Sequence, residues 1–504
     1  MQIPFFFCKQ KFSLLWVGIG IFHYIFKKTF PVLRYGNLFG DFMQLKLPLC
    51  TVALCAMFGL NACSSDSSSS PDPVDPTSSG SVIIPTSSAG GSSGNVPVAK
   101  TSRLPATANA LYTDALYPTW KGFHYTTQEE EATKYPTLGA QFGEIFGAYN
   151  AQGLAAARVI WSTYNYAGCQ IDEAQGTNMY KRGCTVSEGI GYGMLITLFQ
   201  GDMDAYNRLW VYSKAYRNTS YASGHALMPW LTSSFSWDIG DDASATDADL
   251  DIAASLVIAY YQTGNAAYLE DALTLINALW TYEVNPTNLL LYSGDTPMWT
   301  GADPAYNLSY FSPVALRLFA AVDPTHDWKG VLDAEYAFMQ QVQAAGTGVF
   351  PDWCNGAGVA VDPNNNSAQA SYWRFDKESV RIPWRLAWDY YWFQDERAAT
   401  ILNTLNTFIA TRSNNDPAQI PAVKYSWNLA VGSDKEMSKV PMEWWGAWCL
   451  TGMAGADAWV DACTNIFNAK QMTLSTTSYF SDILQMMMSQ LLNGKYVKPA
   501  TLGF

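Results

Sequence analysis

Three short stretches place carboxylates where they could act on a ligand. The run Ser244 to Gln262, SATDADLDIAASLVIAYYQ, opens with Ser244, Thr246, Asp247, Asp249 and Asp251 and continues as an apolar segment with helical spacing, which reads as the start of a helix carrying acids. Asp247 and Asp251 lie four residues apart and share a helix face, whereas Asp249 points roughly the other way, so at most two of the three converge on one ligand. The plainer alternative is capping, because a helix dipole favours acids in the first turn. A calcium loop is excluded: one starting at Asp247 needs Gly at its sixth position and Glu at its twelfth, where this chain has Ile252 and Ile258. The second stretch, VSEGIGYGM from Val186 to Met194, sets Glu188 among glycines. Without a preceding strand its GxGxG is poor evidence for a nucleotide loop. Its plain reading is a helix start with Ser187 as cap and Glu188 in the first turn; its functional reading is that the glycines let a bulky ligand approach Glu188. The third stretch, FDKESVRIPWR, runs from Phe375 to Arg385 with Asp376 and Glu378 three residues or more before Arg381.

The pattern Ala245-Thr-Asp-Ala-Asp-x-x-Ile-Ala-x-Ser-Leu-Val-x-Ala259 resembles the signature of glycoside hydrolase family 8, departing where the family has an aromatic and this chain has Thr263. The resemblance spans roughly residues 104–494. It implies inverting, endo-acting hydrolysis of β-1,4-linked glycans on an all-α fold, an (α/α)6 barrel of six helical hairpins. Glu188 falls on the family's general acid, and Asp247 on the residue beneath the sugar at the cleavage point. Arg381-x-Pro-Trp-Arg385 looks like the segment that follows the family's base. Where its main branch has Tyr-Asp three residues before that arginine, this chain has Lys377-Glu378. The extra methylene matters, since a misplacement on the order of 1 Å costs about a hundredfold in rate. Asp376, two residues out of register, is the competing base, and the bland reading pairs Glu378 with Lys377 or Arg381 on a solvated face.

Hydrolysis of this kind needs one protonated carboxyl for the departing oxygen and one ionised carboxylate to activate water on the opposite face. A helix N-terminus lowers a carboxyl pKa, so Glu188 serves as the acid only if burial and neighbours such as Asp247 raise it. By the same resemblance Trp230 and Trp299 are sugar platforms, with Tyr192 and Arg381 also expected against substrate. The stretches from Asn307 to Pro313 and from Pro351 to Asn355 line or extend the cleft. Cellulose or another β-glucan is the expected substrate. Xylan and chitosan are used across the family, and a glycan-binding protein weakened by the Lys377-Glu378 change is the reading from another class.

These residues need helices to hold them. Apolar segments of helical period recur near 139–158, 187–200, 202–217, 247–263, 265–282, 310–322, 328–345, 381–393, 395–412, 441–454, 456–468 and 477–493. Paired helices of this length, with long loops between pairs, fit an α/α toroid without reference to any family. No alternating strand block competes.

Charged residues make up 14% and aromatics 14% of the 504 residues, with 19 Trp, rings that suit stacking on sugars as well as core packing. The net charge is −13. The first 62 residues hold six Lys or Arg and one Asp, so the remainder is more negative still, which disfavours nucleic acid as a partner. Cys169 and Cys184 bracket a local insertion and suit a bridge in an exported protein; the five cysteines beyond residue 100, with Cys354, Cys449 and Cys463, leave at least one free. No zinc-type spacing occurs and His is sparse, so no metal or cofactor is expected.

Residues 1–62 read as a targeting region. Met43 opens MQLKLPLCTVALCAMFGLNAC, which resembles a bacterial lipoprotein signal ending in the lipobox Leu60-Asn-Ala-Cys63. Met43 is the expected true start, with Cys63 lipidated. The apolar run Leu14 to Phe26 is short for a span of about 20 residues. Residues 63–100 are rich in Ser, Pro and Gly and form a tether. A catalytic domain then occupies 101–504, held at the outer membrane or cell surface through its lipid alone and expected to be a monomer.

Overall fold

The computed structural model describes residues 104–134, 142–161, 169, 183–217, 225–232, 239–363, 372–470 and 478–503; the lipobox, the apolar run and the tether lie outside these. Among the described residues no helix is long and apolar enough to cross a membrane. Twelve helices build the fold: α1 (Ala110–His124), α2 (Ser187–Gln200), α3 (Met203–Arg217), α4 (Thr246–Thr263), α5 (Ala266–Glu283), α6 (Pro313–Val322), α7 (Trp328–Ala344), α8 (Ile382–Phe393), α9 (Glu396–Arg412), α10 (Met442–Leu450), α11 (Asp457–Ala469) and α12 (Tyr479–Leu492). The even-numbered helices form an inner ring. Each packs on the next, and α12 returns to α2 to close it, while each odd-numbered helix covers an inner one from outside. The expected (α/α)6 barrel is therefore present.

Sequence accounts for which helices lie inside. Helices α2 and α4 are buried along nearly their whole length, as an inner helix touched on all sides must be, whereas α11 has one buried stripe through Trp459, Val460, Cys463 and Phe467. Left-handed Gly201 and Gly264 end α2 and α4, a conformation glycine adopts without cost.

The twelfth barrel helix differs from the expectation. Where the segment 139–158 was expected to be one long helix, the described residues hold a short helix, Phe142–Asn150, a turn closed by Gly153 at φ 75°, and the strand Ala157–Val159. Its place in the outer ring belongs to α1, which Pro118 conceals in the sequence because proline normally marks a helix end. The proline is tolerated on the exposed side. The first helix covers the last: Thr113 bonds Ser489, Asn109 donates its amide to the Asn493 side chain, and His124 meets Asp482 at 2.7 Å.

Among the described residues seven strands of two to six residues also occur, most of them too short to show a period, while the longest, IGDDAS, does not alternate apolar with polar. They are β1 (Tyr125–Thr127), β2 (Ala157–Val159), β3 (Thr185–Val186), β4 (Pro229–Thr232), β5 (Ile239–Ser244), β6 (Val423–Lys424) and β7 (Lys435–Glu436). They pair antiparallel as β1-β2, β3-β4-β5 and β6-β7. The middle sheet matters most, because β3 runs directly into α2 and β5 into α4. Cys169 and Cys184 form the anticipated disulfide, a second bridge joins Cys449 on α10 to Cys463 on α11, and Cys354 is free and buried.

Beneath the sheet, Arg385 on α8 forms a bidentate pair with Asp251 on α4, and both are buried. Removing one partner strands the other charge in the interior, which costs about 3–5 kcal/mol. Asp251→Ala is expected to lower the urea-unfolding free energy by about that amount, and Asp251→Leu with Arg385→Met to recover most of it.

Candidate active site

Glu188 and Asp247 reach one place because the sheet and the glycines bring their helices together there. Val186 of β3 pairs with Leu231 of β4, and Pro229 of β4 pairs with Ser244 of β5, so α2 and α4 start side by side. A Cβ on Gly191 would stand 3.1 Å from the Ala248 carbonyl and from Asp251 Cβ, and one on Gly189 would stand 3.0 Å from the Tyr479 hydroxyl. These glycines admit neighbouring helices and Tyr479, rather than a sugar as the sequence suggested. Neither helix is capped by a side chain: the N-cap residues are Val186 and Ala245. Ser187 is therefore not the cap of α2, whereas Asp247 and Asp249 do lie in the first turn of α4, where Asp247 Oδ1 accepts the Ala248 amide at 2.9 Å.

Each aspartate at the start of α4 also has its own partner. Asp247 Oδ2 lies 2.8 Å from Arg381 Nη1 and Asp251 binds Arg385, so two acids one turn apart on α4 meet two arginines one turn apart at the start of α8. Asp249 faces away and accepts the amide of Met228 at 3.0 Å.

Arg381 is the hub. Its Nη1 also donates to Glu188 Oε2 at 2.7 Å and to the Tyr192 hydroxyl at 3.0 Å, while Nη2 donates to Glu378 Oε2. Three carboxylates thus share one buried guanidinium. Tyr479 donates to the second oxygen of Glu188 at 2.9 Å, and Asn307 Nδ2 donates to Glu378 at 2.7 Å. The orientation of that amide follows from its oxygen, which accepts from the Ser309 amide and hydroxyl. Asp376, the rival to Glu378, is buried, with 6% of its side chain exposed, and is paired with Lys424.

Burial pushes the Glu188 carboxyl up from its ordinary value, against the pull of Arg381 and Tyr479 and with the help of the Glu378 and Asp251 charges. Burial likewise raises Asp247 to about 7, with Arg381 opposing and Glu188 assisting. The helix dipole at the start of α2 does not prevail over desolvation.

Above this cluster opens a cleft of about 610 Å³, lined by Trp230, Trp299, Tyr310, Trp353, Tyr372 and Glu378 among others. Trp299 and Trp353 stack with ring centroids 5.3 Å apart. Trp230 and Trp299 both line this cleft. Glu188 keeps 20% of its side chain exposed and Glu378 29%, but Arg381 only 2%. Tyr192 is fully buried, so Tyr192 and Arg381 underlie the cleft and hold its acids, instead of forming its wall. Tyr479, Asn307 and Asp352 were not singled out by sequence. Asn307 and Asp352 sit inside stretches that resemble cleft segments, whereas Tyr479 acts on a residue 291 positions away and leaves no local signal.

The family model for glycosyl hydrolases family 8 matches residues 161–495, two-thirds of the chain and the entire set of site residues. The chain belongs to glycoside hydrolase family 8. It is 29% identical over 348 residues to endoglucanase 2 of Ruminiclostridium josui, covering 67% of this chain and 70% of that protein. With endoglucanase A of Acetivibrio thermocellus it shares 34% identity over 234 residues, covering 45% and 46% of the two chains, so this match spans about half of the relative. Its fold is similar to that of a β-1,3-1,4-glucanase from Paenibacillus sp. X4, with a TM-score of 0.62, 23% identity and coverage of 79% of this chain and 96% of that one.

Arg381 is the group that most opposes the rise of Asp247, so Arg381→Met is expected to move the Asp247 titration above about 7. Carboxyl carbon NMR of aspartate-labelled protein reads this shift, and an unchanged or lower value contradicts the coupling.

Proposed function

We propose that this member of the family hydrolyses internal β-1,4 bonds in a β-glucan, with Glu188 as general acid, Glu378 as general base and Asp247 beneath the sugar at the point of cleavage. The observation that carries the reading is the convergence of these three carboxylates on Arg381, with Glu378 itself lining a tryptophan-bearing cleft. Burial lifts Glu188 toward the protonated form an acid needs. Glu378 faces the cleft and accepts two hydrogen bonds, from Asn307 and Arg381, which suits an ionised carboxylate ready to take a proton from water. The endoglucanase names of the relatives support a β-glucan over xylan or chitosan.

The resemblance to a lipoprotein signal and the composition after it support a lipid anchor at Cys63, a tether to residue 100 and a catalytic domain from 101 displayed at the cell surface as a monomer. Loss of incorporated palmitate in Cys63→Ala tests the anchor.

Purified residues 100–504 are expected to release reducing sugar from carboxymethyl-cellulose or lichenan faster than from xylan or chitosan. Glu188→Gln should lower kcat on natural substrate by about 10²–10⁴ while binding persists, because the amide keeps the shape and loses the proton. Activity within a few-fold of wild type removes Glu188 from this role. A wild-type domain that binds but cleaves none of the four supports a glycan-binding protein instead.

A further inference from the structure

Asp352 lies on the wall of the cleft, yet one of its oxygens is turned away into the protein. Its Oδ1 accepts from the backbone amides of Asp376 at 3.1 Å, Glu378 at 3.2 Å and Ser379 at 2.9 Å, and from the Ser379 hydroxyl at 2.8 Å. Four donors from a single turn thus close on one atom. Ser379 Oγ ties the turn to itself by accepting the Asp376 amide at 3.0 Å. Asp352 is buried, and its own amide is fixed to the Tyr372 carbonyl at 2.9 Å.

The turn that Asp352 gathers is the one bearing Glu378. The head of Glu378 is held by Asn307 and Arg381, and its backbone by Asp352, so both ends of the side chain are fixed. Trp353, the next residue, stacks on Trp299 inside the cleft. One dipeptide therefore joins the sugar-facing wall to the turn carrying the proposed base.

We propose that Asp352 is a positioning residue for the reaction, setting the 376–379 turn so that the Glu378 carboxylate meets the attacking water. This rests on Glu378 being the base. Without the Asp352 carboxylate, three amides and a hydroxyl lose a common acceptor and the turn relaxes. A shift of about 1 Å at the base is enough to slow the chemical step about a hundredfold while leaving the sugar sites intact.

The test compares Asp352→Ala, Asp352→Asn, Ser379→Ala and Glu378→Ala on the same β-glucan, with and without sodium azide, a nucleophile that needs no base. Asp352→Ala is expected to lose about 10² in kcat with KM within about threefold, and to regain at least tenfold in azide, as Glu378→Ala does. Asp352→Asn should stay within about tenfold of wild type, since the amide oxygen accepts the same bonds. Wild-type kcat in folded Asp352→Ala, a loss that azide does not relieve, or a change confined to KM overturns the proposal while leaving an azide-responsive Glu378→Ala as the base. An unimpaired Glu378→Ala overturns both. Should Asp352→Ala fail to fold, Ser379→Ala decides: an azide-responsive drop in kcat of several-fold supports positioning, and a wild-type rate overturns it.

Discussion

The guanidinium of Arg381 binds Glu188, Asp247 and Glu378 at once and is buried beneath them. One positive charge cannot offset three negative ones in a poorly hydrated place, so the cluster favours retaining a proton. Desolvation places the rising affinity for that proton on Glu188 and Asp247. Glu378 is the most exposed of the three and also accepts from Asn307. Position alone thus gives chemically similar groups the different surroundings that the proposed acid and base roles need.

The barrel exists around that hub as much as the hub sits in the barrel. Two acids one turn apart on α4 face two arginines one turn apart on α8, and this double rung crosses from one inner helix to another. The lower rung, Asp251 with Arg385, is closed and fully paired. The upper one, Asp247 with Arg381, is opened to the cleft by recruiting Glu188 and Glu378. Helix α2 can approach closely enough to contribute Glu188 because Gly191 leaves room for the backbone of α4.

Much of this was legible in the chain. Helical period located eleven of the barrel helices to within a few residues, and the arrangement of Asp247 and Asp251 on one face with Asp249 opposite follows from 3.6 residues per turn. The first outer helix was not, since Pro118 masks it, and neither were the strands, most of which are too short to show a period. Within the site, Glu188, Asp247 and Glu378 were marked by local pattern. Sequence could not tell that Tyr192 and Arg381 lie under the cleft, because both a wall and a floor residue carry the same polar atoms and only burial separates them. Tyr479 and Asp352 gain their meaning solely from chain segments far away.

In the proposed roles Glu188 and Glu378 act from opposite faces of the scissile bond with a water between the sugar and Glu378, which requires inversion at the anomeric carbon. Proton NMR of the first product formed from a β-1,4-glucan oligosaccharide, recorded before mutarotation, reads this directly. The α-anomer is the expected initial product. Initial release of the β-anomer would contradict the assignment, because retention proceeds through a covalent intermediate in place of direct attack by water.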